Sequence, residues 1–252
     1  MRTEMHRYHD PLSMPFPASA TYLDLVASPS SNMYLVARYG PSIPGGLDVH
    51  ALGARQRVHR KRIYRGHRAA FVRVPYETHQ AVLGVPASAL VGRTIPIEEI
   101  WSRSAAEDLL GKLADTHDSA TAASVLEDAI ALRVASTPLD ARHGFVRRAA
   151  GLLEHANVGD VSTQLGISDR HLRRVFQEVT GLNPKTFARL KRFDRAVSSA
   201  LSNGGSNWSS VAVDAGYYDQ AHLIADFHVI AGTTPQKFLA EVRDQRRLIA
   251  FR

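Results

Sequence analysis

Ile167-Ser168-Asp169-Arg170-His171-Leu172-Arg173-Arg174-Val175-Phe176 decides the fold, because the chain repeats it. Fifty-one positions on stands Tyr218-Asp219-Gln220-Ala221-His222-Leu223-Ile224-Ala225-Asp226-Phe227. The same shift takes Gly181 to Gly232, Pro184 to Pro235 and Phe187 to Phe238. Upstream the shift is 50, from Val161 to Val211 and from Gly166 to Gly216. One extra residue therefore falls in the second copy, at the Tyr217-Tyr218 pair. A repeat of this kind marks one supersecondary unit used twice.

Each copy carries the punctuation of a helix-turn-helix. Val161 and Leu165 fall on one face of a short helix. Gly166 then supplies the left-handed residue that ends it at low steric cost. Ser168 can cap the next helix by accepting an orphan N–H. That helix buries Leu172, Val175, Phe176 and Val179, spaced i, i+3, i+4, i+7. Its other face shows Arg170, Arg173, Arg174 and Gln177 at the same spacing. Arginine forks onto guanine O6 and N7, glutamine pairs with adenine, and cations short of the bases bind phosphate. An Arg-rich face on a lone helix is usually just solvated. The cap, turn glycine, apolar face and second copy together favour DNA. The expected units span about 158–180 and 209–231.

The second copy is chemically thinner. Asp219 replaces serine as cap, and the exposed stripe becomes Ala221, Ile224, Ala225 and His228. Asp226 takes the place of Val175, and a carboxylate facing DNA there would repel phosphate. An asymmetric reader follows. In the first unit the residues expected at DNA are Ser168, Asp169, Arg170, His171, Arg173, Arg174 and Gln177. In the second they are Asp219, Gln220 and His222. His171 and His222 read equally well as buried, hydrogen-bonded spacers. Between the copies, Leu190, Phe193, Val197 and Leu201 give Lys185 to Leu201 the apolar face of a joining helix. Its Arg189, Lys191, Arg192 and Arg195 fit phosphate contacts or plain solvated charge. Lys237, Arg243, Arg246 and Arg247 leave the same two readings open. Two such units on one rigid chain should enter major-groove segments roughly 34 Å apart.

Residues from about Gly144 to Arg243 resemble the AraC/XylS family of transcription regulators. The stretches that carry this are Gly166 to Phe176, Gly181-Leu182-Asn183-Pro184-Lys185-Thr186-Phe187, Ala215 to Leu223, and Gly232-Thr233-Thr234-Pro235-Gln236-Lys237-Phe238. The resemblance implies two helix-turn-helix subdomains joined by a helix, promoter binding, and usually activation, although repressing members exist. The chain departs from the family at Ile224, Ala225 and Asp226, where arginine is common. Leu83-Gly84-Val85-Pro86-Ala87-Ser88-Ala89-Leu90-Val91, with Ile95-Pro96-Ile97 and Ile100-Trp101, is similar to the N-terminal domain of one branch of the family. Such a domain senses a small molecule, pairs two subunits, or both. No ligand residue carries over.

Outside the repeat the chain has another grammar. From about Thr21 to Pro75, runs such as Met33-Tyr34-Leu35-Val36-Ala37 and Ala70-Phe71-Val72-Arg73-Val74 are β-prone, with Gly and Pro between them. From Ala105 the pattern turns helical, and Thr137-Pro138 reads as a break. The expected fold is an α+β N-terminal domain, small and β-rich with trailing helices, followed by an all-α domain with two helix-turn-helix subdomains. Residues 1–136 form the first, 137–142 a linker and 143–252 the second.

The 252 residues carry a formal net charge of +7, which suits a polyanion partner. There is no cysteine, so disulfides, thiolate zinc sites, cysteine nucleophiles and methyl-accepting repair chemistry are excluded. No apolar run is long enough to cross a membrane and no secretory leader is visible, so the expected compartment is the cytoplasm. His6 and His9, with Asp10, make a poor metal scaffold, and no metal or cofactor is expected. Between Asp48 and Glu77 lie Arg55, Arg57, Arg60, Lys61, Arg62, Arg65, Arg68 and Arg73 with no acidic residue. A solvated hairpin or loop is favoured over an anionic effector site or phosphate-binding arm. Hydrolase and nucleotide-binding signatures are missing, and an enzyme is not expected. The leading expectation is a sequence-specific transcriptional regulator, an activator. Its partners are double-stranded promoter DNA, RNA polymerase, a small-molecule effector and a second copy of the chain, without a membrane. The alternative is a ligand-independent, largely non-specific architectural DNA binder.

Overall fold

The computed structural model describes residues 20–136, 141–203 and 207–250. His6, His9, Asp10 and the Thr137-Pro138 break lie outside the described residues, as do the side chains of Arg246 and Arg247.

The first half is built on strands β1 (Tyr22–Ala27), β2 (Met33–Tyr39), β3 (Leu47–Leu52), β4 (His59–Tyr64), β5 (Arg68–Val74) and β6 (Thr94–Pro96). Helices α1 (His79–Leu83), α2 (Arg103–Ala114) and α3 (Ser119–Ala135) complete it. Four strands form an antiparallel sheet in the order β5-β2-β3-β6, while β1 and β4 pair as a separate ribbon. The central strand β2 is covered on both faces, which is why it reads as an almost unbroken apolar run. Alternation sends Met33, Leu35, Ala37 and Tyr39 toward Leu109, Leu113, Leu126 and Ile130 of α2 and α3. Tyr34 and Val36 point the other way, onto Leu25 and Ile63 of the ribbon. Sheet, helices and ribbon thus make a small β-rich domain with trailing helices.

The second half is all helix: α4 (Ala141–Leu153), α5 (Val158–Gln164), α6 (Asp169–Thr180), α7 (Pro184–Ser202), α8 (Trp208–Ala215), α9 (Gln220–Ala231) and α10 (Pro235–Ala250). Pro184 sits in the first turn of α7, where its missing N–H is harmless, and Asn183 caps the helix by accepting from Thr186 N–H at 2.8 Å. α7 is the spine. Its Phe187 meets Phe176 of α6 edge-on at 5.2 Å. One turn and a half further on, Phe193 packs on Phe227 of α9 at 4.6 Å and on Phe238 of α10 at 5.5 Å. All five rings are essentially fully buried.

The two halves touch at both helix-turn-helix units. Gly181, which ends α6 with φ +75°, lies so close to Ala87 that a Cβ there would stand 2.8 Å from that residue's carbonyl. Tyr76 packs edge-on against Phe187 at 5.7 Å. At the other end, the Val58 N–H donates to the Ile230 carbonyl of α9 at 2.9 Å, and the Val26 N–H donates to Gln245 Oε1 of α10 at 2.9 Å. Arg60 of β4 reaches Glu241 at 2.8 Å and the Ala231 carbonyl at 3.1 Å. The Arg-rich segment is solvated, as its composition suggests, with Arg57, Arg60, Lys61, Arg62 and Arg65 exposed, but it is not a free hairpin. β4 pairs with β1 rather than with a sequence neighbour, and its edge is tied to the C-terminal half.

His79 sits fully inside this junction. Its Nε2 donates to the Val74 carbonyl at 3.0 Å, while the second ring nitrogen faces the Val179 carbonyl of α6 without a bond of good geometry. Burial pushes its pKa down to about 4, with Arg73 adding to the shift. The folded chain thus holds this ring neutral, whereas the unfolded chain protonates it near pH 6.5. Stability is fully present above about pH 6.5 and is lost as pH falls toward 4, by about 3 kcal/mol at most. Urea unfolding of a His79→Gln variant, which keeps the donor but cannot titrate, should show a flatter profile across that window. An unchanged slope would mean that His79 does not set it.

Candidate nucleic-acid interface

The local sequence starts each recognition helix where the repeat requires. Ser168 accepts from the His171 N–H at 3.3 Å, and Asp219 accepts from the His222 N–H at 2.7 Å. Ahead of them, the Ile167 N–H closes onto Ser162 O at 3.0 Å and the Tyr217 N–H onto Ala212 O at 2.8 Å. These bonds make Tyr217 the equivalent of Ile167. Tyr218 is therefore the inserted residue, and it stands 90% exposed immediately before the cap of α9.

On α6, Leu172, Val175 and Phe176 are buried, and Arg170, His171, Arg173, Arg174 and Gln177 are all exposed. Arg173 pairs with Asp169 at 3.4 Å and Arg174 with Glu178 at 3.0 Å, both one turn away on the same helix. Such exposed pairs hold about 0.3–0.5 kcal/mol, too little to detain an arginine from a guanine worth about 1–3 kcal/mol. Arg170 has no protein partner among the described residues. Asp169 is committed differently: Ser162 of α5 donates to its carboxylate in a short hydrogen bond, which locks the two helices of the unit together. Ser168, Asp169 and Asp219 thus fix helix starts from within the protein.

On α9, Gln220, Ala221, His222, Ala225 and His228 are exposed and Ile224 is half-buried. Ser209 of α8 donates to Gln220 Oε1 at 2.8 Å and holds that side chain. The rings of His171 and His222 rest edge-on against Phe145 at 6.2 Å and Tyr217 at 5.2 Å, yet both residues are exposed. Neither is a buried spacer.

Asp226 does not face outward, so the repulsion that an outward carboxylate would cause does not arise. It is 5% exposed and faces α7, where Arg189 donates to it at 2.7 Å. Burial and the neighbouring Asp226 together raise the pKa of the Tyr217 hydroxyl above its usual value. The other cations beyond the first turn of α7 also turn inward. Lys191 pairs with Glu154 at 2.7 Å, Arg192 lies over the Tyr217 ring at 5.5 Å, and Arg195 bonds the carbonyls of Glu154 and Ala215. These side chains staple α7 to its neighbours and are neither free phosphate ligands nor plain solvated charge. Arg243 reaches the Ala200 carbonyl at 3.4 Å, whereas Lys185 and Lys237 are exposed. A cleft of about 960 Å³ runs from the first unit to the Gly216 turn of the second, with Arg173, Lys185, Arg192 and Arg195 in its walls.

Tandem helix-turn-helix units on one spine helix, each turning a capped second helix outward, define a DNA-binding transcription regulator. A family model described as a helix-turn-helix domain matches residues 161–241, from α5 into α10. That match falls within the stretch, from about Gly144 to Arg243, that resembles AraC/XylS regulators in sequence. No curated protein matches the chain. Among solved structures it is similar to ToxT from Vibrio cholerae, at 9% identity and a TM-score of 0.43 over 88% of this chain and 98% of that one. It is also similar to ToxT from V. cholerae strain SCE256 bound to an unsaturated fatty acid, at 10% identity and a TM-score of 0.40 over 95% and 97% of the two chains. Likeness at that level says nothing about ligand or activity. Among the described residues, no helix is long and apolar enough to cross a membrane.

Replacing Asp226 with alanine should leave Arg189 half-buried without its partner and cost about 2–4 kcal/mol in urea unfolding. The Arg189→Ala, Asp226→Ala double variant should lose less than the two single losses combined. Additive losses would show that the pair does not act as a clamp.

Proposed function

We propose that this chain is a cytoplasmic, sequence-specific promoter-binding regulator, an activator that works with RNA polymerase and is not an enzyme. Residues 1–136 act as its sensory or dimerising domain, joined through 137–142 to the DNA-binding domain at 143–252. The observation that carries this reading is the outward stripe of Arg170, Arg173, Arg174 and Gln177, held on protein only by weak surface pairs. In the proposed complex these side chains read base edges in one major-groove segment. Ser168, Asp169 and Asp219 set the helix starts, while His171, Gln220 and His222 add contacts at the helix mouths. The DNA backbone between the two segments passes along the cleft beside Lys185. Contacts from the first half to both units give an effector or a second subunit a route to their relative placement.

A second reading, a largely non-specific architectural binder, is favoured by one observation: α9 presents no arginine on its exposed stripe. Selection of bound duplexes from a random pool by the purified chain separates the two. A regulator enriches a consensus, whereas an architectural binder enriches none and shows steep salt dependence alone. For the regulator, Arg170→Ala should weaken binding to the selected duplex by about 1–3 kcal/mol and relax one base position, read by titration at fixed salt. An equal loss on unrelated DNA would reduce Arg170 to a phosphate contact.

A further inference from the structure

Building on that function, we propose that the second unit recognises DNA by the 5-methyl groups of thymine, through the apolar stripe of Ala221, Ile224 and Ala225 with Tyr218 at its mouth. Three observations point there. The 51-residue register puts Ala221, Ile224 and Ala225 where the first unit carries Arg170, Arg173 and Arg174, so this stripe occupies the same station on an equivalent helix. The only carboxylate in the middle of α9, Asp226, is turned away from that face and paired with Arg189 at 2.7 Å, which leaves the face without a carboxylate. Exposed apolar surface also concentrates on this unit. Of the six large apolar side chains that stand exposed among the described residues, Val213, Tyr218 and Val229 belong to it.

The chemistry follows from the groove. A thymine presents a methyl group to the major groove, and alanine and aromatic side chains meet it by apolar contact. Alanine is short, so α9 reaches those methyls only by lying closer to the base edges than an arginine-bearing helix needs to. The insertion of Tyr218 fits that approach. It sets an aromatic ring beside the helix mouth at a station where the first unit has no residue. Gln220, held by Ser209, keeps its amide donors available for an acceptor such as thymine O4. The two units then divide the work: hydrogen-bonded reading by α6 and methyl reading by α9.

The test uses the full chain and the best duplex from a random-pool selection. Each thymine is replaced in turn by deoxyuridine, which removes the methyl and leaves the hydrogen-bonding edge intact. Binding should weaken about fourfold at one or more thymines under α9, the factor expected for one buried methyl-sized group. An Ala225→Arg variant, which keeps a good helix former on an exposed position, should lose the uridine effect at its own base pair and gain a preference for guanine there. If uridine is tolerated within twofold throughout the second segment, or the consensus there is G·C, the methyl reading is wrong. A consensus confined to the first segment also overturns it, placing the stripe against something other than base edges, while leaving the regulator intact. No consensus at all would overturn the regulator as well.

Discussion

The packing of buried rings along α7 is the contact on which the rest of the structure depends. Phe187 engages Phe176 in the first unit, and Phe193 engages Phe227 and Phe238 in the second. Each ring contributes a few kcal/mol of burial, and truncating any of them would cost about 3–5 kcal/mol. Their more particular effect is geometric. They hold two separate recognition helices on one rod, so re-angling either unit about α7 means repacking its rings. A protein that must match two successive turns of DNA needs that rigidity before any base contact has meaning.

Charge is allocated around this spine in a way composition does not reveal. The net charge of +7 suggests a surface spread with cations, yet much of the basic side chain on α7 is spent internally. Arg189, Lys191 and Arg195 bond Asp226, Glu154 and backbone carbonyls, and Arg192 covers a tyrosine ring. Half-buried guanidiniums with hydrogen-bonding partners bind helices together without demanding a fully dry ion pair. The arginines of α6, by contrast, are held only by same-helix carboxylates. Cations locked in structure and cations available to a partner thus line one cleft, Arg192 and Arg195 beside Arg173.

The first half adds a second restraint. It touches α6 near Gly181 and the ends of α9 and α10 through β1 and β4, so it spans both units. Anything that shifts the sheet against its ribbon bears on the angle between the two units. The contacts are mixed: Ala54, Val26, Val58, Tyr76 and Val91 pack on the C-terminal core, beside backbone bonds at Val58 and Val26, one Arg60–Glu241 pair, and the His79 ring between two carbonyls.

The recognition units, their caps and the joining helix were legible in the amino-acid order because they are local. A serine or aspartate cap, a left-handed glycine and a 3.6-residue apolar stripe act within a dozen residues, and the repeat states them twice. The double apolar character of β2 was equally plain. Asp226 lay half within reach: the register equates it with buried Val175, so its burial was implied, but Arg189 as its partner was not. That pairing, the inward turn of the α7 cations, the docking of β4 on α9 and α10, and the burial of His79 all join residues far apart in the chain. Such contacts depend on how completed elements stack, which no local pattern encodes. The order of residues determined which helices exist and which faces they bury. Tertiary packing alone decided which charges remain free to meet DNA.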